Sequence, residues 1–266
     1  PLMAKKDQIV IIGGGLQGLA SAYVLMSRGE EVLILERDSD VASSASFANA
    51  GMLTPSQSMP WNSPSDIFQI LSGFEKKDSP MSVSALTLPS HFFWGLKFLR
   101  NSTPSRFDSI TRNLYQLGLY SKEKTQNLRN KFRLSYDEST QGTVKIYRNQ
   151  KKFEQAISLQ KRIFENSKSM EILDREQIAA LEPQLNEIKD ELSGGMYFPN
   201  DEVGDAYKFC KSLEDLIRNN GGRILTNTNI NKILINKGKV NCVVTDRAIL
   251  QTKRVVVCAG SWSRDL

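Results

Sequence analysis

One histidine, His91, stands in a chain of 266 residues. A single imidazole argues against a Ser-His-Asp triad, a Cys-His nucleophile and a histidine metal cluster. His91 reads as a packed or solvated structural residue. Cysteine is nearly as scarce. Cys210, Cys242 and Cys258 cannot all pair, and none belongs to a Cys-x-x-Cys. That spacing speaks against a zinc site and a thioredoxin-like centre, and no metal is expected. Reduced thiols acting as small buried hydrophobes, in a cytoplasmic setting, are the simplest reading. No apolar run reaches the roughly 18 residues of a membrane span. Lys5-Lys6 precede an apolar stretch, as in a secretory signal. Three consecutive glycines interrupt that stretch and no small-residue cleavage site follows, so a buried strand fits better. Pro1 and Leu2 ahead of Met3 are expected to be an expression remnant. No nucleic-acid-binding motif is present, and no nucleic-acid partner is expected.

What is present is an ordinary globular balance: 40% hydrophobic and 24% charged residues. The length suffices for one large or two modest domains with a real core. The formal charge of +6 is unevenly spread. Between Lys97 and Lys168 sixteen Lys or Arg face six Asp or Glu, a net of +10, which leaves the remainder at −4. Such a basic middle is either a solvated face or a surface for anionic lipid or a partner protein.

The first 38 residues carry the clearest signal. Gln8-Ile-Val-Ile-Ile12 is a short β-branched run, read as a buried parallel strand. Gly13-Gly14-Gly15-Leu16-Gln17-Gly18 follows at once. Leu16, Leu19, Ala20 and Tyr23 then share one helical face, and Gly29 is a plausible stop. Glu31-Val-Leu-Ile-Leu35 is a second strand ending in Glu36-Arg37. This is GxGxxG in its required context. Gly13 permits the tight turn, Gly15 admits a pyrophosphate, and Gly18 lets helix and strand approach. The helix N-terminus offers N–H groups and partial positive charge to the phosphates, with Leu16 and Gln17 in its first turn. Glu36 can accept hydrogen bonds from ribose hydroxyls. Its charge disfavours NADP but does not separate NAD from FAD.

After the second strand comes Ala42-Ser-Ser-Ala-Ser-Phe-Ala-Asn-Ala-Gly-Met-Leu53, small, polar and glycine-containing. A nicotinamide enzyme would pass here to another βα unit. This loop instead suits closure of backbone and hydroxyls on a flat ligand. Ser46-Phe-Ala-Asn-Ala-Gly51, followed by Pro60-Trp61, resembles the D-amino acid dehydrogenases of the small-subunit type. They sit in the FAD-dependent amine oxidoreductases beside glycine oxidase and sarcosine oxidase. Further segments carry the same resemblance: Gln141-Gly-Thr-Val-Lys-Ile-Tyr147, Leu181-Glu182-Pro183, Gly194 to Asp205, and Val255-Val-Val-Cys-Ala-Gly-Ser-Trp262.

The resemblance implies an α/β fold: a Rossmann-like FAD-binding domain of the glutathione-reductase type with an inserted α+β substrate domain. The FAD domain is expected at 1–55 and 203–266, and the substrate domain at 56–202. Family members usually extend well over a hundred residues beyond the Ala-Gly-Ser-Trp turn, so the substrate domain is expected to be incomplete in this chain. The implied reaction is oxidative deamination of a D-amino acid by hydride transfer to flavin N5. The imine then hydrolyses to a 2-oxo acid and ammonia, and electrons pass to a respiratory-chain acceptor. Peripheral contact with the inner membrane is an open option. Asn49, Ala50, Gly51 and Met52 are expected near the isoalloxazine ring or the pyrophosphate, and Ser44 on a phosphate. Ile230 matches the position whose backbone meets the adenine, and Ala259, Gly260 and Trp262 the turn that returns to the flavin. No catalytic residue is assigned. A related amine oxidase acting on glycine, sarcosine, proline or an opine, or a non-catalytic flavin-binding module, are the alternatives.

The rest of the chain is read from periodicity. Leu88–Leu99 suits a buried aromatic helix, with a membrane-contacting amphipathic segment as the other reading. Residues 56–80 are polar, with an apolar patch at Ile67–Leu71. Ser105–Arg133 reads as a long helix with Ile110, Leu114 and Leu117 on one side. Phe153 to Phe164 marks another. Asp174-Arg-Glu-Gln177 resembles a capping box. Ala206, Phe209, Cys210, Leu213, Leu216 and Ile217 form a clean apolar face. Strands are expected at Arg223–Leu225, in a pair around Lys237-Gly238-Lys239, and at Val255–Cys258. Asp201 and Asp205 are expected in turn and helix-cap roles, with a catalytic carboxylate pair as the other reading.

Overall fold

The computed structural model describes residues 7–60, 62, 88–163 and 169–266. Trp61, the Ile67–Leu71 patch, Phe164 and the side chain of His91 lie outside the described residues. In chain order the elements are β1 (Ile9–Ile12), α1 (Leu16–Met26), β2 (Val32–Leu35), β3 (Met52–Leu53), α2 (Leu88–Asn101), α3 (Pro104–Phe132), β4 (Thr143–Tyr147), α4 (Gln150–Ile163), β5 (Glu171–Leu173), α5 (Arg175–Leu181), β6 (Gly194–Phe198), β7 (Glu202–Val203), α6 (Ala206–Asn219), β8 (Arg223–Leu225), β9 (Ile230–Asn236), β10 (Lys239–Thr245), β11 (Ile249–Gln251) and β12 (Val255–Val257). They divide into two compact units. The first holds 1–52, 128–138 and 204–266, and the second 53–127 and 139–203.

The first unit is layered around a parallel sheet of order β12-β1-β2-β8. Every residue of β1 and β2 is buried, because both faces of the sheet are covered. Strand alternation sorts the side chains. Ile9, Ile11, Val32 and Ile34 point into a core with Leu19 and Ala22 of α1 and Phe209, Cys210, Leu213 and Ile217 of α6. Val10, Ile12, Leu33 and Leu35 pack on the opposite face against Val243 and Leu250 of the antiparallel meander β9-β10-β11. The architecture is helices, parallel sheet and meander in three layers. The apolar face read for α6 is the face it buries. Asp205 opens that helix, its Oδ1 accepting from the Lys208 N–H at 2.9 Å.

Residues 128–138 depart from the expected division, which kept 56–202 together. Leu128, Phe132, Leu134 and Tyr136 pack into the α1–α6 core, and Tyr136 meets Phe209 edge-on with centroids 5.1 Å apart. Their apolar surface is buried in the first unit, so they belong to it.

The second unit holds an antiparallel sheet of order β4-β6-β5. Met196 and Phe198 of β6 pack with Phe153, Ala156 and Ile157 of α4. The capping box at α5 is present: Asp174 accepts from the Gln177 N–H, and the Gln177 side chain accepts from the Asp174 N–H. Asp201 is more than a turn residue. It is buried and takes hydrogen bonds from the Ser56 N–H and hydroxyl and from the Thr143 hydroxyl, joining three distant stretches of chain.

Two helices differ from their expected burial. Along α2, Phe92, Phe93, Trp94, Leu96 and Leu99 are all exposed, so the aromatic helix is not a core helix among the described residues. In α3 the buried side chains are Phe107 and Thr111, while Leu117 is exposed. Periodicity identified apolar rows but not whether anything covers them. Among the described residues no helix is long and apolar enough to cross a membrane. No group of three His, Cys, Asp or Glu among them could hold a metal ion.

Leu213→Ala, in the centre of the α6 face, is expected to cost about 2–5 kcal/mol of unfolding free energy. Leu117→Ser is expected to stay within about 0.5 kcal/mol of the parent. Urea unfolding of the two variants checks the assignment of core and surface.

Candidate cofactor site

The site forms where β1 ends. The Gly13 N–H donates to the Leu35 carbonyl at 2.8 Å and its φ is +105°. A Cβ there would fall 2.4 Å from the Cys258 carbonyl oxygen, so the turn needs glycine for conformation and for space. A Cβ on Gly18 would lie 1.8 Å from the Gly13 carbonyl oxygen. That contact lets α1 begin directly above the turn. The first turn of α1 contains no acid, so its partial positive charge is not cancelled there. Ser46 reaches across to this end, its hydroxyl accepting from the Leu16 N–H at 3.1 Å.

Glu36 closes β2. Its backbone joins the Leu225 carbonyl and the Thr228 N–H at 2.8 and 2.9 Å. One carboxylate oxygen accepts from the Gly14 N–H at 2.6 Å and the other from the Asp38 N–H at 2.9 Å. A carboxylate has about four lone-pair sites, so capacity for ribose hydroxyls remains. The loop that follows is held by two aspartates. Asp38 accepts from the hydroxyls of Ser44 and Ser43 at 2.9 and 3.0 Å. The Ser44 bond, with Ser43 and Arg37, holds its carboxyl below its ordinary pKa against a burial penalty. Asp40 accepts from Lys211 at 2.9 Å, Tyr207 at 3.1 Å and the Val41 N–H at 2.8 Å. Lys211 is the main reason its carboxyl also sits low. The Tyr207 ring packs edge-on against Phe47, with centroids 5.0 Å apart. One tyrosine of α6 therefore pins both ends of the serine-rich turn.

These pieces surround a cavity of about 390 Å3, within the first unit and within the usual size of small-ligand sites, roughly 300–1,000 Å3. Nine sequence-predicted residues line it: Gly13, Gly15, Glu36, Arg37, Ser44, Ile230, Ala259, Gly260 and Trp262. The Arg37 guanidinium lies over the Trp262 ring, 4.7 Å from its centroid, and braces one wall. Seven do not line it. Leu16, Gln17 and Gly18 belong to α1. Asn49 accepts from the Gly51 N–H at 2.8 Å, and the Gly51 carbonyl accepts from the Gly204 N–H at 2.8 Å. Ala50 and Met52 are exposed on the same stretch. Reading by sequence missed Ser46, Asp38, Asp40, Tyr207 and Lys211. Cys258, expected among the buried thiols, is half-buried at the cavity wall, and burial raises its thiol pKa.

A glycine turn with no room for Cβ, an uncancelled helix N-terminus and a carboxylate at the end of β2 suit a dinucleotide's pyrophosphate and ribose. The family described as DAO, FAD dependent oxidoreductase, matches residues 8–266. The chain belongs to the FAD-dependent oxidoreductases. FAD is the cofactor of that family, and the glycine turn, α1 and Glu36 fit it. The chain is 32% identical over 262 residues to a D-amino acid dehydrogenase of Bradyrhizobium diazoefficiens, covering 97% of this chain and 62% of that protein. The chain therefore spans less than two thirds of that relative's length. Glycine oxidase from Bacillus cereus shares the fold at a TM-score of 0.66 and 23% identity, over 98% of this chain and 57% of that one. L-Amino acid deaminase from Proteus myxofaciens does so at 0.69 and 20%, over 98% and 47%.

Lys211→Met removes the cation from Asp40, and Tyr207→Ala frees both ends of the serine turn. Each is expected to weaken FAD binding to this FAD-dependent oxidoreductase about tenfold, the worth of one charged hydrogen bond. Tyr207→Phe, which keeps the ring against Phe47, should lose less. Quenching of flavin fluorescence by apoprotein measures all three, and unchanged affinities would refute the role of the clamp. Asp38 and Asp40 both sit below the ordinary 3.8. Their contribution to stability is complete above pH 3.8 and is lost as pH falls through their lowered values. Asp40→Asn is expected to shrink that acid-dependent loss in a pH series of thermal unfolding.

Proposed function

We propose that the chain is part of an FAD-dependent D-amino acid dehydrogenase. The enzyme oxidises D-amino acids to 2-oxo acids and ammonia and passes the electrons to a respiratory-chain acceptor. The observation that carries this reading is the 32% identity, over 97% of the chain, with the dehydrogenase of Bradyrhizobium diazoefficiens. The N-terminus of α1, with Gly13 and Gly15, would hold the pyrophosphate, and Glu36 the ribose hydroxyls. Ile230 and the Ala259–Gly260 turn, which line the same cavity, would hold the adenine and the returning part of the cofactor. Bound there, FAD supplies a hydride acceptor for the substrate Cα–H. The chain's own residues would orient the cofactor. A cytoplasmic enzyme with peripheral contact at the inner membrane completes the reading.

The visible spectrum of the purified protein, and of any longer form of it, tests the proposal. A flavin band that bleaches with anaerobic D-alanine and not with L-alanine is the expected outcome. A flavin band indifferent to D-amino acids would overturn the substrate assignment. Absence of flavin even after reconstitution with FAD would overturn the cofactor site.

A further inference from the structure

Among the described residues of the second unit, α2 carries an exposed apolar face. Phe92, Leu96 and Leu99 fall at i, i+4 and i+7 and form one stripe along the helix. That spacing normally marks the side of a helix that faces a core. Here Phe92 is 58% exposed, Leu96 50% and Leu99 50%, and the neighbouring Phe93 is 77% exposed. Beside the stripe stand two cations. Lys97 is one turn on from Phe93, and Arg100 one turn on from Leu96. No Asp or Glu occurs anywhere from Leu88 to Asn101. On the other side of the helix Trp94 is also exposed, and the contacts gather at the C-terminal end. Phe98 is half-buried and stacks on Trp94 at 5.1 Å, the Ser102 hydroxyl donates to the Phe98 carbonyl, and Asn62 donates to the Asn101 carbonyl.

We propose that α2 docks this chain on an anionic lipid surface, laying Phe92, Phe93, Leu96 and Leu99 into the headgroup–acyl boundary with Lys97 and Arg100 on the lipid phosphates. The charge pattern selects this occupant. A second copy of the same face would set Lys97 and Arg100 against their own kind with no carboxylate in the helix to answer them. An anionic bilayer supplies the opposite charge, and the stretch from Arg106 to Lys168 carries a further net +8 of the sign such a surface attracts. Fourteen residues span about 21 Å, so the helix lies along the surface and does not cross it. The inference gives the membrane contact of the proposed function a surface. It rests on that reading for its physiological sense alone, since lipid binding needs neither flavin nor turnover.

Sedimentation with sucrose-loaded vesicles tests it, using phosphatidylglycerol mixed with phosphatidylcholine against phosphatidylcholine alone. The chain should partition onto the anionic vesicles and not the neutral ones. Lys97→Glu with Arg100→Glu should lower partitioning by at least thirty-fold, from roughly fivefold per basic residue lost, with repulsion of the two new carboxylates added to it. Phe92→Ser with Leu96→Ser should lower it comparably while leaving FAD affinity, a property of the other unit, unchanged. Retained FAD affinity and circular dichroism show that these exposed substitutions leave the fold intact. Equal partitioning of the charge-reversed variant would overturn the proposal. So would Phe92→Ser with Leu96→Ser dissociating an oligomer without affecting vesicle binding, which would assign the stripe to a second copy. Loss of partitioning in a longer form of the protein would overturn it too, by showing the stripe covered by further chain. If partitioning fails while the flavin still bleaches with D-alanine, only the docking surface falls. If partitioning holds and bleaching fails, only the substrate reading does.

Discussion

Strand β1 has no side that faces water, and the cofactor site follows from that. Ile9 and Ile11 pack on the helices, Val10 and Ile12 on the meander. A four-residue strand buried this way cannot slip by one position without exchanging its two cores. Its end is therefore fixed in space. The Gly13 turn, the start of α1 and the position of Glu36 on the neighbouring strand inherit that placement. Hydrophobic burial sets the geometry, and the polar groups of the site occupy positions already decided by it.

The serine-rich loop is held by different means. It has no strand or long helix of its own, and its shape comes from side chains. Asp38 gathers Ser43 and Ser44, Asp40 is anchored to α6, and Ser46 meets the N-terminus of α1. A loop tied by a few exposed or half-buried side-chain bonds is easier to open than the sheet it borders. A ligand entering the cavity meets a rigid floor and an adjustable wall.

Much of the first unit was legible in the sequence because its signals are local. A buried strand, a glycine turn and an amphipathic helix each declare themselves within about fifteen residues. The capping box at Asp174 and the cap at Asp205 are local in the same way. What escaped reading depends on residues far apart in sequence. Ser46 caps a helix that starts thirty positions earlier, and Tyr207 supports a loop that ends at Phe47. Asp201 looked like a turn residue because only the folded chain brings Ser56 and Thr143 to it. The aromatic row of α2 was visible as a row. Its exposure was not, since periodicity reports which residues share a face and says nothing of what lies opposite.

The sheet order carries a consequence for how the molecule is made. β1 is paired on one side with β2, its near neighbour in sequence, and on the other with β12. The Thr252 hydroxyl donates to the Gln8 carbonyl across a separation of 244 residues. During synthesis β1 therefore waits, one edge unsatisfied, until the residues of β12 have left the ribosome. Parallel pairings of such long range are slow to close, and an unpaired apolar edge is a site of aggregation while it stays open. Yield in cells should thus depend on chaperone supply and growth temperature more than the native packing alone would suggest.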